Sequence, residues 1–210
     1  MAGTVLALAL AGCGAGGAAA DGDGSPVVIE SRSSHSGPYA GVEIDPPFPM
    51  PEVTLTDQAG ATTRVPTDLD GAVRVFFFGY THCPDVCPLI MADLALAVAR
   101  LPADVAAQVE VVLVTSDPAR DDPQTLRAYL DRFDPGFSGL TGDLDTIMTM
   151  AETMGVPVEQ GRRLPSGGFE VGHGAQLVGY AGDAGMVVWT EGVSAEDLAA
   201  DLVVLADQEG

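Results

Sequence analysis

Two cysteines, Cys83 and Cys87, are four residues apart in the segment GYTHCPDVCP at residues 79–88. In a helical or near-helical turn, residues four apart lie on the same side, so the two sulfurs can converge on one ion or on each other. Backbone amides at a helix N-terminus stabilise negative charge, and we therefore predict lowered thiol pKa values and thiolate at neutral pH. The pair predicts either metal binding or disulfide exchange.

The spacing of the pair favours metal binding. Disulfide exchangers of the thioredoxin type have two residues between their cysteines, whereas three separate Cys83 from Cys87. The extra residue opens the sulfur pair enough to admit a metal. Two thiolates select Cu(I) or Zn(II), and one imidazole would complete a three-coordinate site that suits Cu(I) but leaves Zn(II) one ligand short. A redox-active Cys83–Cys87 disulfide, or an inert one formed in an oxidising compartment, remains as an alternative.

A third ligand has to come from one of three histidines. His35 lies in the N-terminal segment, outside the predicted domain. His82 adjoins Cys83, and because neighbours in sequence usually point apart, we expect it to be exposed or to support the site without binding. His173 lies in a glycine-flanked loop before a strand that should run beside the strand preceding the cysteines. From the residues alone, His173 either binds the metal or has no role in the site.

The elements that position these residues follow from the hydropathy pattern. Nearly continuous apolar runs at residues 73–78 and 109–115 predict two central parallel strands. Paired strands are predicted at residues 53–65 and 175–190, and helices begin at Pro88, at Asp122-Pro123, near Leu144, and after a capping Ser194. This order predicts an α/β, thioredoxin-like domain with an N-terminal β-hairpin at residues 52–210. The cysteines then lie at the carboxyl end of a parallel strand, where ligands bind in such sheets.

The N-terminal segment predicts a membrane anchor. The apolar run before Cys13 is too short to remain as a membrane-spanning helix. Its end, LAGC at residues 10–13, resembles a lipoprotein processing box, so we expect a signal peptide at residues 1–13 and lipid on Cys13. Residues 14–51 are rich in Gly, Ala, Ser, Asp and Pro, which predicts a flexible tether. The expected location is the outer face of the cytoplasmic membrane.

Charge excludes one class of partner. The chain has 9 basic and 30 acidic residues, a formal net charge of -21. Such a chain repels phosphate backbones, so nucleic acid is not an expected partner. With 210 residues, 47% of them hydrophobic, the chain can bury the core of one domain.

The segment FFGYTHCPDVCP at residues 77–88 resembles the signature of the Sco/SenC family of copper chaperones. The resemblance continues through residues 114–121 and 133–142 to the loop histidine. It implies a thioredoxin fold, one copper ion held by Cys83, Cys87 and His173, and Asp85 and Asp117 as neighbours of the site. Glycines flank His173 where the family often has Asp and Ser, a difference that should alter copper affinity or exchange.

The resemblance also implies a function: maturation of the dinuclear copper centre in the copper-binding subunit of cytochrome c oxidase. The first hypothesis is therefore a metallochaperone that passes copper on by ligand exchange and is not an enzyme. Two alternatives remain open. One is a thiol-disulfide oxidoreductase that reduces the copper-site cysteines of the oxidase, and the other is a redox sensor.

Overall fold

A computed structural model describes residues 37–163, 169–173 and 175–208, with the backbone alone at 159–163 and 169–173. The predictions for the signal peptide, Cys13 and His35 lie outside these residues. In chain order the elements are β1 Val42–Pro49, β2 Val53–Asp57, β3 Thr62–Val65, β4 Val73–Gly79, α1 Val86–Arg100, α2 Ala103–Ala106, β5 Val109–Thr115, α3 Pro123–Leu130, β6 Ser138–Thr141, α4 Leu144–Thr153, β7 Val158–Arg163, β8 Phe169–His173, β9 Leu177–Ala181, β10 Ala184–Trp189 and α5 Ala195–Asp207.

Eight strands form one mixed sheet in the order β1-β10-β9-β4-β5-β6-β2-β3. The strand β4 is central: it pairs in parallel with β5 on one side and antiparallel with β9 on the other. The predicted pair of central parallel strands is therefore confirmed, as is the α/β class. Both predicted hairpins are also present, one as β2 and β3 and the other as β9 and β10.

Alternate side chains of β4 belong to two separate cores, which explains its continuous apolar sequence. Val75 and Phe77 pack in the core that contains α1, α3 and α5. Phe76 and Phe78 pack in the core that contains α4. All four side chains are fully buried. A strand covered by helices on both faces cannot alternate with polar residues, and the cysteine segment leaves the end of such a strand.

Three helix starts predicted from sequence are capped by side chains, at α3, α4 and α5. At the start of α3 the Asp122 carboxylate accepts a hydrogen bond from the Thr125 amide. At the start of α5 the Ser194 hydroxyl accepts one from the Asp197 amide. Each cap satisfies an amide that lacks a partner within its helix. None of the helices in the described part of the chain is long and apolar enough to cross a membrane.

The folded domain begins earlier than predicted. The strand β1, from Val42 to Pro49, pairs antiparallel with β10 although it lies within the predicted tether of residues 14–51. Tyr39 and Met50, on either side of it, are buried. The tether boundary at residue 51 is therefore wrong. The prolines of this segment hid the strand, but β1 is at the edge of the sheet, where a missing N–H is tolerated.

A buried carboxylate holds the start of the domain in place. Asp201 on α5 accepts hydrogen bonds from the Ala40 amide at 2.8 Å, the Gly41 amide at 2.9 Å and the Trp189 indole Nε1 at 2.7 Å. Its side chain is almost completely inaccessible to solvent. Three donors compensate the burial of this carboxylate, and they join the N-terminal residues of the domain to its last helix.

The strands β7 and β8 form a separate two-stranded antiparallel sheet. His173 is the last residue of β8, and its backbone is in register with Val158 of β7. The predicted loop before β9 is therefore, at His173, the end of a strand. Charged residues and glycines interrupt the alternation of β7 and β8, so their sequences did not indicate strands.

Candidate metal and thiol site

The two cysteines lie where β4 passes into α1. The strand ends at Gly79 and the helix begins at Val86. Cys87 is fully buried in the first turn of α1, and Cys83, in the preceding turn, is 8% exposed. Both are in the reduced, thiol form in the structure. The Cys87 amide donates a hydrogen bond to Cys83 Sγ at 3.3 Å, so the Cys83 sulfur lies over the start of the helix.

Gly79 allows the strand to approach the helix this closely. A Cβ atom at this position would lie 2.7 Å from the Phe77 ring and 3.3 Å from Cys87 Sγ. The first distance is shorter than any ordinary contact, so a larger residue would push apart the ring and the thiol. The glycine before the cysteine motif is therefore required for packing at the site.

Burial changes the acid–base chemistry predicted for Cys87. Desolvation raises the pKa of this thiol far above its usual value, and a side-chain hydrogen bond between the Cys87 thiol and Cys83 adds to the effect. The prediction of a thiolate at neutral pH is therefore wrong for Cys87. The helix N-terminus does favour negative charge, but at a fully buried sulfur the cost of desolvation is larger. Cys87 must therefore release its proton to solvent when it binds a metal ion.

The buried carboxylate of Asp121 holds the turn that carries the cysteines. It accepts hydrogen bonds from the Thr81 amide at 2.9 Å, the Thr81 hydroxyl at 2.6 Å and the Thr115 hydroxyl at 2.7 Å. His82 Nδ1 lies 3.5 Å from the same carboxylate, while the His82 side chain is 53% exposed. The exposed position predicted for His82 is therefore confirmed. Asp121 links the turn to the end of β5, next to β4.

The two acidic neighbours predicted from sequence have different positions. Asp85 is exposed at the start of α1, and its side chain caps no helix amide. Asp117 is buried and forms an ion pair with Arg120. The Arg120 guanidinium lies 5.9 Å from the centre of the Tyr80 ring. Burial raises the pKa of Tyr80, and nearby charge on the two cysteines adds to this, which places the ring beside the thiols.

Asp121 and Arg120 were not assigned to the site from sequence. Both lie in residues 114–121, the segment that extends the family resemblance, at the carboxyl end of the strand beside β4. Their position at the carboxyl end of this strand could have indicated from the sequence that both residues lie near the site. Tyr129 of α3 was also missed: its ring is buried in the same core as Cys83 and Cys87, and burial together with charge on the cysteines raises its pKa.

His173 can be placed only by its backbone, at the end of β8. Within residues whose side chains are described, no three His, Cys, Asp or Glu side chains form a cluster that could hold a metal ion. Of the predicted ligands, the structure thus brings together Cys83 and Cys87, which supply two sulfurs. A third ligand for copper would have to come from elsewhere, and His173 remains a prediction.

Comparisons with known proteins agree with this architecture. The structure of Bradyrhizobium japonicum ScoI with copper bound is 30% identical, with a TM-score of 0.65 over 74% of this chain and 98% of that one. The solution structure of apo Sco1 from Thermus thermophilus is 29% identical, with a TM-score of 0.70 over 80% of this chain and 96% of that one. These likenesses confirm the predicted thioredoxin-like fold.

Comparisons of the sequence with known proteins and family models agree with the structural comparisons. A Stutzerimonas stutzeri protein, named provisionally for copper binding, is 35% identical over 128 residues, which are 61% of this chain. The match spans 62% of that relative, somewhat less than two thirds of its length. A family model described as SCO1/SenC matches residues 44–206. The chain therefore belongs to the SCO1/SenC family.

Proposed function

We propose that the chain binds one copper ion through Cys83, Cys87 and His173 and delivers it to the dinuclear copper centre of cytochrome c oxidase. The observation that carries this proposal is that two cysteine thiols lie together at the start of α1, with Cys83 Sγ 3.3 Å from the Cys87 amide. Family membership and the copper-bound Bradyrhizobium structure support it.

The two cysteines differ in a way that suits transfer of the ion. Two thiolates hold Cu(I) well, and an imidazole adds the ligand that a three-coordinate site needs. Cys87 is fully buried, whereas Cys83 is partly accessible. A thiol of the acceptor would therefore reach the copper from the side of Cys83, and Cys87 would be the last ligand to leave. The turn held by Asp121 keeps the two sulfurs in place during the exchange.

An anaerobic copper titration of the reduced chain tests the ligand set. Cys83→Ala and Cys87→Ala should each abolish tight one-to-one binding, because two donors remain and one soft thiolate is lost. His173→Ala should still bind Cu(I) weakly between two thiolates but lose the Cu(II) spectrum. His82→Ala is the matched control, since this imidazole is adjacent to the site and exposed, and it should bind like the wild type.

Two results would contradict the chaperone function. One is a His173→Ala chain with full copper stoichiometry, an unaltered Cu(II) spectrum and full support of oxidase assembly. The other is tight Cu(I) binding after oxidation of the cysteines to a disulfide, because a disulfide offers no thiolate to the metal.

A second function, reduction of the oxidase's copper-site cysteines, is favoured by the same asymmetry. Cys83, the accessible thiol, would attack the partner disulfide as thiolate, forming a mixed disulfide and releasing one partner thiolate. Cys87 would lose its proton and attack Cys83 Sγ, releasing the second partner thiolate and leaving a Cys83–Cys87 disulfide. This exchange does not need His173. Full disulfide reduction by a His173→Ala chain that no longer supports copper transfer would separate the two activities.

We also propose that Cys13 carries a lipid that holds the chain at the outer face of the cytoplasmic membrane. The support is the LAGC segment at residues 10–13. A Cys13→Ser chain should appear in the soluble extracytoplasmic fraction, and mass spectrometry of the wild type should show a lipidated cysteine at the mature N-terminus. An unmodified N-terminus on a membrane-bound wild type would contradict the anchor.

A further inference from the structure

The helix α1 has an uncharged outer face. Its exposed positions between the two ends are Leu89, Ala92, Leu96 and Ala99. These residues are three or four apart, so they form one stripe along two to three turns. We call them the α1 stripe. The single acidic residue within the helix, Asp93, is half-buried at the side of the stripe and lines a narrow crevice next to α5.

The α1 stripe is unusual for this molecule. Three large apolar side chains in the described part of the chain are exposed: Leu89 at 61%, Leu96 at 46% and Val42 at 45%. Two of the three are thus on one face of one helix. In contrast, the exposed positions of α4 and α5 include Asp145, Glu152, Glu196 and Asp197. Single exposed apolar residues are common, but an aligned set on an acidic protein marks a contact surface.

The position of the α1 stripe indicates what binds there. Leu89, the first residue of the stripe, lies in the first turn of α1, two residues after Cys87. Cys83 is only 8% exposed, so a partner ligand can reach the sulfur only if the partner surface lies against this end of the helix. A partner that contacts the thiols therefore lies against the first turn of α1, which also contains Leu89.

Net charge argues against a second copy of the chain as the occupant. Two copies would each carry a formal charge of -21 over the whole chain, and like net charges oppose association. A partner with basic side chains around an apolar centre would instead be attracted. Apolar centres with polar rims are the usual anatomy of protein interfaces.

We propose that the α1 stripe is the docking surface for the copper acceptor, through an apolar patch on the acceptor that adjoins its own copper ligands and is surrounded by basic residues. This inference rests on the proposed function, because it takes the acceptor to be the protein whose thiols meet Cys83. Leu89 and Leu96 contribute the apolar contact, and the acidic surface of the domain attracts the basic rim.

The test uses the full chain and the soluble copper-binding domain of the oxidase subunit from the same organism. A Leu89→Gln, Leu96→Gln double variant should bind this domain about tenfold more weakly or worse, because central apolar contacts dominate such interfaces. Copper transfer at subsaturating concentration should slow by a similar factor. Copper loading and reduction by a small dithiol should stay at wild-type values, since both leucines are exposed and outside the ligand set.

Val42→Gln is the matched control. Val42 is as exposed as Leu96 but lies on β1, three strands from β4 in the sheet order, and this variant should bind and transfer as the wild type does. Binding should also weaken as salt rises, because screening reduces the attraction of the basic rim.

The possible failures can be told apart. Copper transfer at the wild-type rate by the double variant would overturn the docking surface and leave the proposed function intact. Binding that depends on the leucines without any copper transfer would support the surface and contradict the proposed function. No binding of the wild-type chain to the domain, or concentration-dependent self-association through the stripe in sedimentation experiments, would overturn the docking proposal.

Discussion

At the scale of single residues, the cysteine pair is asymmetric. The same short turn leaves Cys83 slightly exposed and places Cys87 fully in the core, against Gly79 and Phe77. A desolvated thiol is harder to ionise than an accessible one. The two sulfurs are therefore not interchangeable, although the sequence presents them as a simple repeat of Cys-Pro.

The asymmetry predicts different rates of alkylation. At pH 7 in the reduced, metal-free chain, iodoacetamide should modify Cys83 at least about tenfold faster than Cys87, because Cys87 is inaccessible and its pKa is raised. Peptide mass spectrometry of samples quenched at successive times measures both rates. In denaturant the rates should become similar. Equal rates in the folded chain would show that Cys87 is not desolvated.

The raised pKa of Cys87 also predicts how copper binding depends on pH. This thiol remains protonated through the neutral range, so each bound ion releases its proton. The apparent affinity for Cu(I) should therefore rise by at least about tenfold per pH unit between pH 6 and 8. Competition with a chelator of known pH dependence measures it. An affinity independent of pH would mean that Cys87 is already a thiolate before the metal arrives.

Asp121 provides a test of how the turn is held. Asp121→Ala removes the acceptor of the hydrogen bonds donated by Thr81 and Thr115, and these buried donors are left unsatisfied. The free energy of unfolding should therefore fall by about 3 kcal/mol. Asp122→Ala is the control. It removes the exposed N-cap of α3 at the adjacent residue and should lower the free energy of unfolding by about 1 kcal/mol. Urea unfolding measures both. Equal losses would show that the buried network contributes nothing beyond an ordinary cap.

At the scale of elements, the N-terminal edge strand contributes to the stability of the domain. The strand β1 covers one edge of the sheet, and residues 39–41 pack between β10 and α5. A chain that starts at residue 37 should melt like the full chain. A chain that starts at residue 50 should melt more than about 4 °C lower, because it exposes core and leaves the Asp201 carboxylate with fewer donors. Equal melting points would show that β1 adds nothing.

Elements with a strong local pattern could be predicted from the sequence, and elements that depend on their neighbours could not. The apolar runs of β4 and β5 and the caps Asp122 and Ser194 are local signals. Edge strand β1 carries prolines, and β6 has only four residues, so neither shows a period. Similarly, the Cys-Pro motif indicated the site, but nothing local distinguished Asp121 from the other acidic residues, because its partner Thr81 is forty residues away.

At the scale of the whole molecule, net charge should limit stability. A formal charge of -21 on a chain of 210 residues produces self-repulsion that unfolding relieves. Raising NaCl from about 10 mM to about 300 mM shortens the Debye length severalfold. The melting midpoint should rise by about 2–4 °C, which corresponds to roughly 1 kcal/mol. Calorimetry of the metal-free chain measures the change, and a midpoint that falls would show that attractive ion pairs outweigh the repulsion.

The hydrogen bonds of Asp201 bring the two ends of the domain together. The Ala40 amide lies 2.8 Å from this carboxylate, and seven residues of helix, about 10 Å, separate Asp201 from residue 208. The first residues of the domain and the end of α5 therefore lie near each other. A circular permutant could join residue 208 to residue 37 by a short glycine linker and open at the exposed turn around Gly60. Such a chain should fold with the same sheet order, so the topology of the thiol site does not depend on where the polypeptide begins.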